Sequence, residues 1–370
     1  MRSRGPLSLL SGHLLPSGLL PPIASGLLLA VSFPPFHLLV PSFVALVPLA
    51  LHLRALPGGP VGSGQAFRAG TVTGILYFGL LLHWLVPALL WLNPVGPLLY
   101  LVVMILLGGL LGIAAWATHR LVHEAGVPFV IALPLAWVAV EWLRGHLPGG
   151  LAFPWLGLGT SLTAYPEVVG IAELVGSRGV SLWLVLGGSL LAEAVWRAAA
   201  ATGRDRIRRW AGAEGSTGGA PATGAPASRR PATGGPGSAV GILGVAAVVL
   251  AGPPTWGVWR AATLPVHPVA RVGLVQTQVS AEAKGDPTRA LEATRQQLRE
   301  LGFGDGAGSL GDPELLVWPE TTFPFPVSSR SDAVRNLVES ASAEEDAPLL
   351  FGALESAGDS PGAEYNAAFL

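Results

Sequence analysis

One carboxylate closes an apolar run in "ELLVWPETTFPFP", residues 314–326. Leu315, Leu316 and Val317 read as a short buried strand, which Trp318, Pro319 and Glu320 stop. Pro319 fixes its own φ and restricts Trp318, so the turn presenting Glu320 is expected to be stiff. Sheets of α/β type place their sites at the carboxyl ends of strands, so Glu320 reads as a functional carboxylate. The bland alternative is a surface Glu at a strand end. Partners for such chemistry are scarce: the chain has no Cys and one Lys, Lys284. Without Cys there is no disulfide and no thiolate metal site.

A second group lies in "AWVAVEWLRGHLPGGLAFPWLGLG", residues 136–159. Glu141 and Arg144 are three residues apart, on one face of a helix. They read either as an interfacial ion pair, with Trp137, Trp142 and Trp155 forming an aromatic belt, or as the mouth of a site above a bilayer. The segment after them is apolar enough to lie in the lipid interface and meet acyl chains. His119 and His123 have a metal-like spacing beside Glu124, but no third ligand is evident, and a solvated helix end is the expectation. "GFGDGAG", residues 302–308, precedes a strand instead of joining a strand to a helix, the wrong order for a dinucleotide loop.

The elements that position these residues follow from composition. The 370 residues are 51% hydrophobic and 12% charged, against about 25% charged in soluble proteins. Residues 1–260 carry 15 Lys+Arg against 7 Asp+Glu, and residues 261–370 carry 7 against 16. A basic membrane part is followed by an acidic water-soluble part, which excludes a nucleic-acid partner. Seven apolar segments fit a span, at about 14–32, 36–56, 70–92, 95–118, 127–147, 168–196 and 239–259. Arg2 and Arg4 put the N-terminus in the cytoplasm; alternation then places twelve Arg inside and only Arg144, Arg178 and Arg260 outside. The odd number sends the acidic part to the outer face. Residues about 200–238 include a Gly/Ala/Pro/Ser/Thr stretch, expected to be a disordered cytoplasmic loop.

From residue 269 the pattern becomes α/β. Strands are expected at 269–279, 314–320, 348–355 and 364–370, and helices at 286–302, capped by Asp286, and at 331–342. The first three strands are expected as neighbours in one sheet.

Several motifs, in order, resemble the apolipoprotein N-acyltransferases, the membrane branch of the nitrilase (carbon-nitrogen hydrolase) superfamily. They are "SFPPFHLLVPSFVALVPL" at 32–49, "AFRAGTVTGILYFGLLLHWL" at 66–85, and the Glu-Trp-Leu-Arg and Phe-Pro-Trp motifs within 136–162. "VGLVQTQV" at 272–279, "LLVWPETTFPFP" at 315–326 and "YNAAFL" at 365–370 follow. Thr277 and Gln278 stand where the family has Gly-Asn, and no Trp follows Lys284. The resemblance implies a polytopic α-helical membrane domain over 1–260 with about seven spans, then a partial α/β nitrilase-like domain over 261–370. It implies a Glu-Lys-Cys triad with Glu320 as general base, no cofactor, a phospholipid acyl donor and an apolipoprotein acceptor, at the outer face of the cytoplasmic membrane. Glu141, Arg144, Trp155 and Trp318 are the candidate substrate-binding residues. The family's Lys and Cys follow the Tyr-Asn strand, so the sequence is expected to be C-terminally incomplete and, as given, inactive. Two other classes stand beside this one: a catalytically dead membrane protein that binds lipid or lipopeptide, and a transporter. The latter is disfavoured by the lack of a repeat and of midplane polar groups.

Overall fold

The computed structural model describes residues 17–92, 94–149, 151–201, 236–276, 278–300, 312–327, 331–356 and 364–370. Arg2, Arg4, most of the 200–238 loop, Thr277 and the 302–308 turn lie outside them. The chain divides into two compact units, Met1–Leu264 and Pro265–Leu370.

The first unit is helical: α1 (Leu20–Val31), α2 (Leu39–Val44), α3 (Val47–Ala55), α4 (Pro60–Leu81), α5 (Leu85–Leu92), α6 (Gly96–His123), α7 (Phe129–Arg144), α8 (Pro166–Val169), α9 (Ala172–Ala201) and α10 (Pro236–Thr263). Among the described residues, three helices are long and apolar enough to cross a membrane: α6, α9 and the Ser238–Thr263 stretch of α10. Several expected spans are broken. The 36–56 segment is α2 and α3, the 70–92 segment is the end of α4 and α5, and the 168–196 segment is kinked at Gly176 (φ 66°).

Helix α6 shows why this unit needs lipid. Met104, Leu107, Gly108, Leu111, Gly112 and Ala115 recur at helical spacing and are buried. On the other side Leu98, Leu101, Val102, Ile105 and Leu106 are each at least half exposed, a surface that water would penalise. The buried side packs backbone against backbone on α4. A Cβ on Gly74 would lie 2.7 Å from Gly108 Cα, and one on Gly70 2.4 Å from the Leu111 carbonyl oxygen. Gly70 and Gly74 on one helix thus face Gly108 and Gly112 on the other, the close-approach pattern of small residues four apart that joins membrane helices.

The polar contacts sort into two ends of this unit. At one end Glu193 of α9 is buried and accepts from Arg54 Nε (3.2 Å) and Arg197 Nε (2.7 Å), while Arg120 pairs with Glu124 (2.5 Å). His119 is also there, bridging the Pro57 carbonyl and Ser63. At the other end Arg260 of α10 donates to both Glu173 oxygens (2.9 and 3.2 Å) at the start of α9. The C-terminus of α7, with Glu141 and Arg144, lies at that second end, against the 153–158 segment.

The second unit has a five-stranded mixed sheet: β1 (Val272–Leu274), β2 (Leu315–Val317), β3 (Phe323–Pro326), β4 (Leu349–Ser356) and β5 (Glu364–Phe369). β1, β2 and β4 are parallel neighbours, β3 is also parallel to β4, and β5 is antiparallel to it. Between them run α11 (Ala281–Lys284), α12 (Pro287–Glu300) and α13 (Ser331–Glu345). Asp286 caps α12 as expected, accepting from the amides of Thr288 (2.8 Å) and Arg289 (3.1 Å). Along β4 the residues alternate: Leu349, Phe351 and Ala353 are buried, and Leu350, Gly352 and Leu354 less so. The buried set forms one core with Leu316, Trp318, Phe323 and Phe325 and with Leu291, Leu298 and Val334 from the two longer helices. Those helices cover one face of the sheet, and Gly352 and Leu354 belong to the other.

Candidate functional site

Glu320 follows the carboxyl end of β2, as expected, but the chain does not leave the sheet there. β2 and β3 lie one after the other beside β4, and Glu320 sits in the break between them. The break is held on both sides. Trp318 N donates to the Leu350 carbonyl (2.8 Å), Thr322 N to that of Gly352 (2.9 Å), and Gly352 N to that of Pro319 (3.3 Å). Thr322 Oγ1 closes the turn onto the Pro319 carbonyl (2.6 Å). Thr321 has φ 56°, a left-handed backbone that a β-branched residue adopts only under constraint. The constraint is Gly352: a Cβ there would meet Glu320 Cα at 2.8 Å and Thr321 N at 3.0 Å. The absent side chain lets the turn lie against the strand.

The Glu320 side chain is exposed on the face away from the helices. There Asn366 Nδ2 donates to Glu320 Oε1. Asn366 stands on β5 opposite Leu354, so it shares that face by strand alternation. The amide fixes one carboxylate oxygen, Oε1, as an acceptor. Trp318 is placed otherwise: it is 2% exposed, inside the core and 6.4 Å from the Phe323 ring centroid. It supports the turn from below.

Glu141 and Arg144 are not an exposed ion pair. Both are buried, and each holds a different backbone group of the following segment. Glu141 Oε1 accepts from Leu158 N (2.7 Å) and from Trp137 Nε1 (2.9 Å). Arg144 Nη2 donates to the Leu156 carbonyl (3.2 Å), which also accepts from Tyr77 Oη (2.8 Å). The guanidinium lies 5.0 Å from the Phe78 ring centroid and 5.9 Å from that of Phe153. Trp137 is therefore a core residue and no part of an aromatic belt, whereas Trp142 and Trp155 are 52% and 66% exposed. Segment 153–158 is strapped down from inside, and Trp155 projects from it.

Of the histidine pair, His123 is exposed at the helix end as expected, but His119 is not. His119 is buried, with Nε2 2.8 Å from the Pro57 carbonyl and Nδ1 3.1 Å from Ser63 Oγ. Both ring nitrogens are occupied. Among the described residues no group of three His, Asp or Glu side chains could hold a metal ion.

Residues 25–190 match the profile of the apolipoprotein N-acyltransferase N-terminal domain. The chain is a relative of the apolipoprotein N-acyltransferases. The protein of that name from Rhizobium rhizogenes is 26% identical, over 94% of this chain and 60% of its own length. Those from Geobacter metallireducens and Gloeobacter violaceus are each 28% identical, over 82% and 92% of this chain and 51% and 57% of their own lengths. The chain thus spans about half to three-fifths of the apolipoprotein N-acyltransferases that it matches. Within the matched 25–190 region lie Tyr77, Glu141, Arg144 and the strapped segment.

Two residues of the Glu320 arrangement escape a reading of types and spacing. Gly352 carries a signal, a lone Gly inside a strand, which marks close backbone approach. Asn366 stands in the "YNAAFL" motif, but its contact with Glu320 follows only from β5 lying beside β4.

Proposed function

We propose that the protein is an acyltransferase that moves an acyl chain from a phospholipid to the N-terminal amine of an apolipoprotein's diacylglyceryl-cysteine. The observation that carries this reading is the Glu320 carboxylate, held by Asn366 on an exposed sheet face and braced by Gly352. In the proposed cycle Glu320 takes the proton of a cysteine thiol, and the thiolate attacks the ester carbonyl of the phospholipid. A lysine ammonium stabilises the oxyanion, and the lysophospholipid leaves with the proton that Glu320 returns. The lipoprotein amine then attacks the thioester, passes its proton through Glu320 to the thiolate and leaves as the amide. These 370 residues contain no cysteine, so the thiol of this cycle lies outside them. The acidic unit belongs to the nitrilase-like class, for which its β1-β2-β4 parallel core with intervening helices is suited.

The first unit is proposed to cross the cytoplasmic membrane seven times, with the N-terminus inside. The sorting of its polar contacts supports this. The end holding Arg54, Arg120 and Arg197 is the basic one and belongs to the cytoplasm. Helix α10 finishes at the opposite end, beside Glu173, which sends the acidic unit outside. On that side Trp155 and Trp142 are proposed to meet lipid chains, with Glu141 and Arg144 acting through the segment they hold.

The test is to express the gene product in a bacterium depleted of its own apolipoprotein N-acyltransferase and to read lipoprotein N-termini by mass spectrometry. A third, amide-linked acyl chain is expected. Diacylated lipoproteins alone, with phospholipid or lipopeptide still bound by the purified protein, would instead support a non-catalytic binding role.

A further inference from the structure

We propose that the basic end of the helical unit carries a site for one anionic phospholipid, seated at Arg68 and separate from any acyl-transfer site. The inference does not rest on the acyl-transfer reading. A cleft of about 210 Å3 opens there between the start of α1, the end of α3 and α4, lined by Gly18, Leu19, His52, Leu56, Arg68 and Ala69 with Gln65 at its edge. Gln65 and Arg68 are three residues apart on α4, exposed, and project on the same side. Leu56, Ala69 and His52 are the buried part of the lining, two apolar side chains beside one imidazole.

The charge balance singles out Arg68. Its neighbours at this end are each paired within the protein: Arg54 and Arg197 share Glu193, and Arg120 has Glu124. Among the described residues Arg68 has no ion-pair partner. A guanidinium with free donors, beside an amide, in a cleft too small for a whole lipid, fits a phosphate diester. The flank of the cleft argues for a lipid over free phosphate. From Leu19 the chain enters α1, whose Leu20 and Leu27 are 43% and 47% exposed and stand seven residues apart, on one side of the helix. An acyl chain can follow that stripe while the phosphate stays at Arg68. The cationic end also favours a lipid with net negative charge over a zwitterion.

The test uses the whole protein, purified in a neutral detergent and offered phosphatidylglycerol or phosphatidylcholine at equal concentration, with retained lipid read by native mass spectrometry. The wild type is expected to keep one phosphatidylglycerol in preference to phosphatidylcholine. Arg68→Gln should weaken that retention about tenfold, the worth of one charge-assisted hydrogen bond. Arg68→Lys should preserve most of it, and Arg120→Gln should leave it unchanged. Equal retention of the two lipids by the wild type overturns the site, and so does full retention by Arg68→Gln. Displacement of the lipid by inorganic phosphate at the same concentration would show a free-phosphate site and overturn the assignment to lipid.

Discussion

Glu320→Gln is expected to lower lipoprotein N-acylation by the gene product about 10³-fold, within the range for loss of a general base. The substitution is chosen for what it keeps. A Gln side chain has the same shape, and its amide oxygen still accepts from Asn366 Nδ2. The braces of the turn are backbone bonds from Trp318, Thr322 and Gly352 together with Thr322 Oγ1, none of which involves the carboxylate. The variant should therefore insert and fold as the wild type does, and lose only the ability to take up a proton. Asn366→Leu separates positioning from proton transfer. It removes the donor but not the base, while β5 stays paired to β4 through its backbone. The expected loss is about tenfold, one hydrogen bond to a charged group. Acylation measured by gel shift of a lipoprotein reporter checks both. Wild-type acylation by Glu320→Gln would remove Glu320 from the chemistry.

The largest effect on the helical unit is expected from Glu141→Ala. Its carboxylate is the acceptor for two buried donors, Leu158 N and Trp137 Nε1, and it lies beside the buried Arg144. Each orphaned donor costs about 1–3 kcal/mol, so the two together cost about 2–6 kcal/mol. Thermal unfolding of the purified protein in detergent measures this. Glu141→Gln keeps one acceptor oxygen and should cost about 1 kcal/mol, the difference between a charged and a neutral acceptor. The segment carrying Trp155 loses its strap in the Ala variant, so acylation should fall as well. An Ala variant as stable as the wild type would show that solvent reaches the site and replaces the carboxylate.

How much of this was legible in the sequence depended on whether the deciding contact was local. The Asp286 cap and helix α12 depend on neighbours two or three residues away, and both are present within two residues of expectation. The strands around Leu316 and Leu349 are short apolar runs and were found; β3 was not, because Pro324 and Pro326 argue against a strand. It forms because its partner is β4 in an irregular register, with buried Phe323 and Phe325 driving the pairing. Glu320 was legible as a presented carboxylate, but its place between two strand segments depends on Gly352, thirty-two residues on. Glu141 and Arg144 were legible as a pair on one helix face. Their burial follows from a loop that folds back over them and from Tyr77 on another helix, and no local pattern encodes that. The burial of His119 is not legible for the same reason: its partners Pro57 and Ser63 lie some sixty residues earlier.

The central claim is that the acidic unit carrying Glu320 lies outside the cytoplasmic membrane and the basic helix ends lie inside. These 370 residues contain no cysteine, so within them a maleimide reports only on the introduced position. Single variants Glu339→Cys, exposed in the acidic unit, and Glu124→Cys, exposed at the basic end, are treated in intact spheroplasts with a membrane-impermeant maleimide. Labelling at position 339 and protection at position 124 until the cells are opened is the predicted result. Protection at 339 with labelling at 124 would put Glu320 in the cytoplasm, away from the lipoproteins it is proposed to acylate.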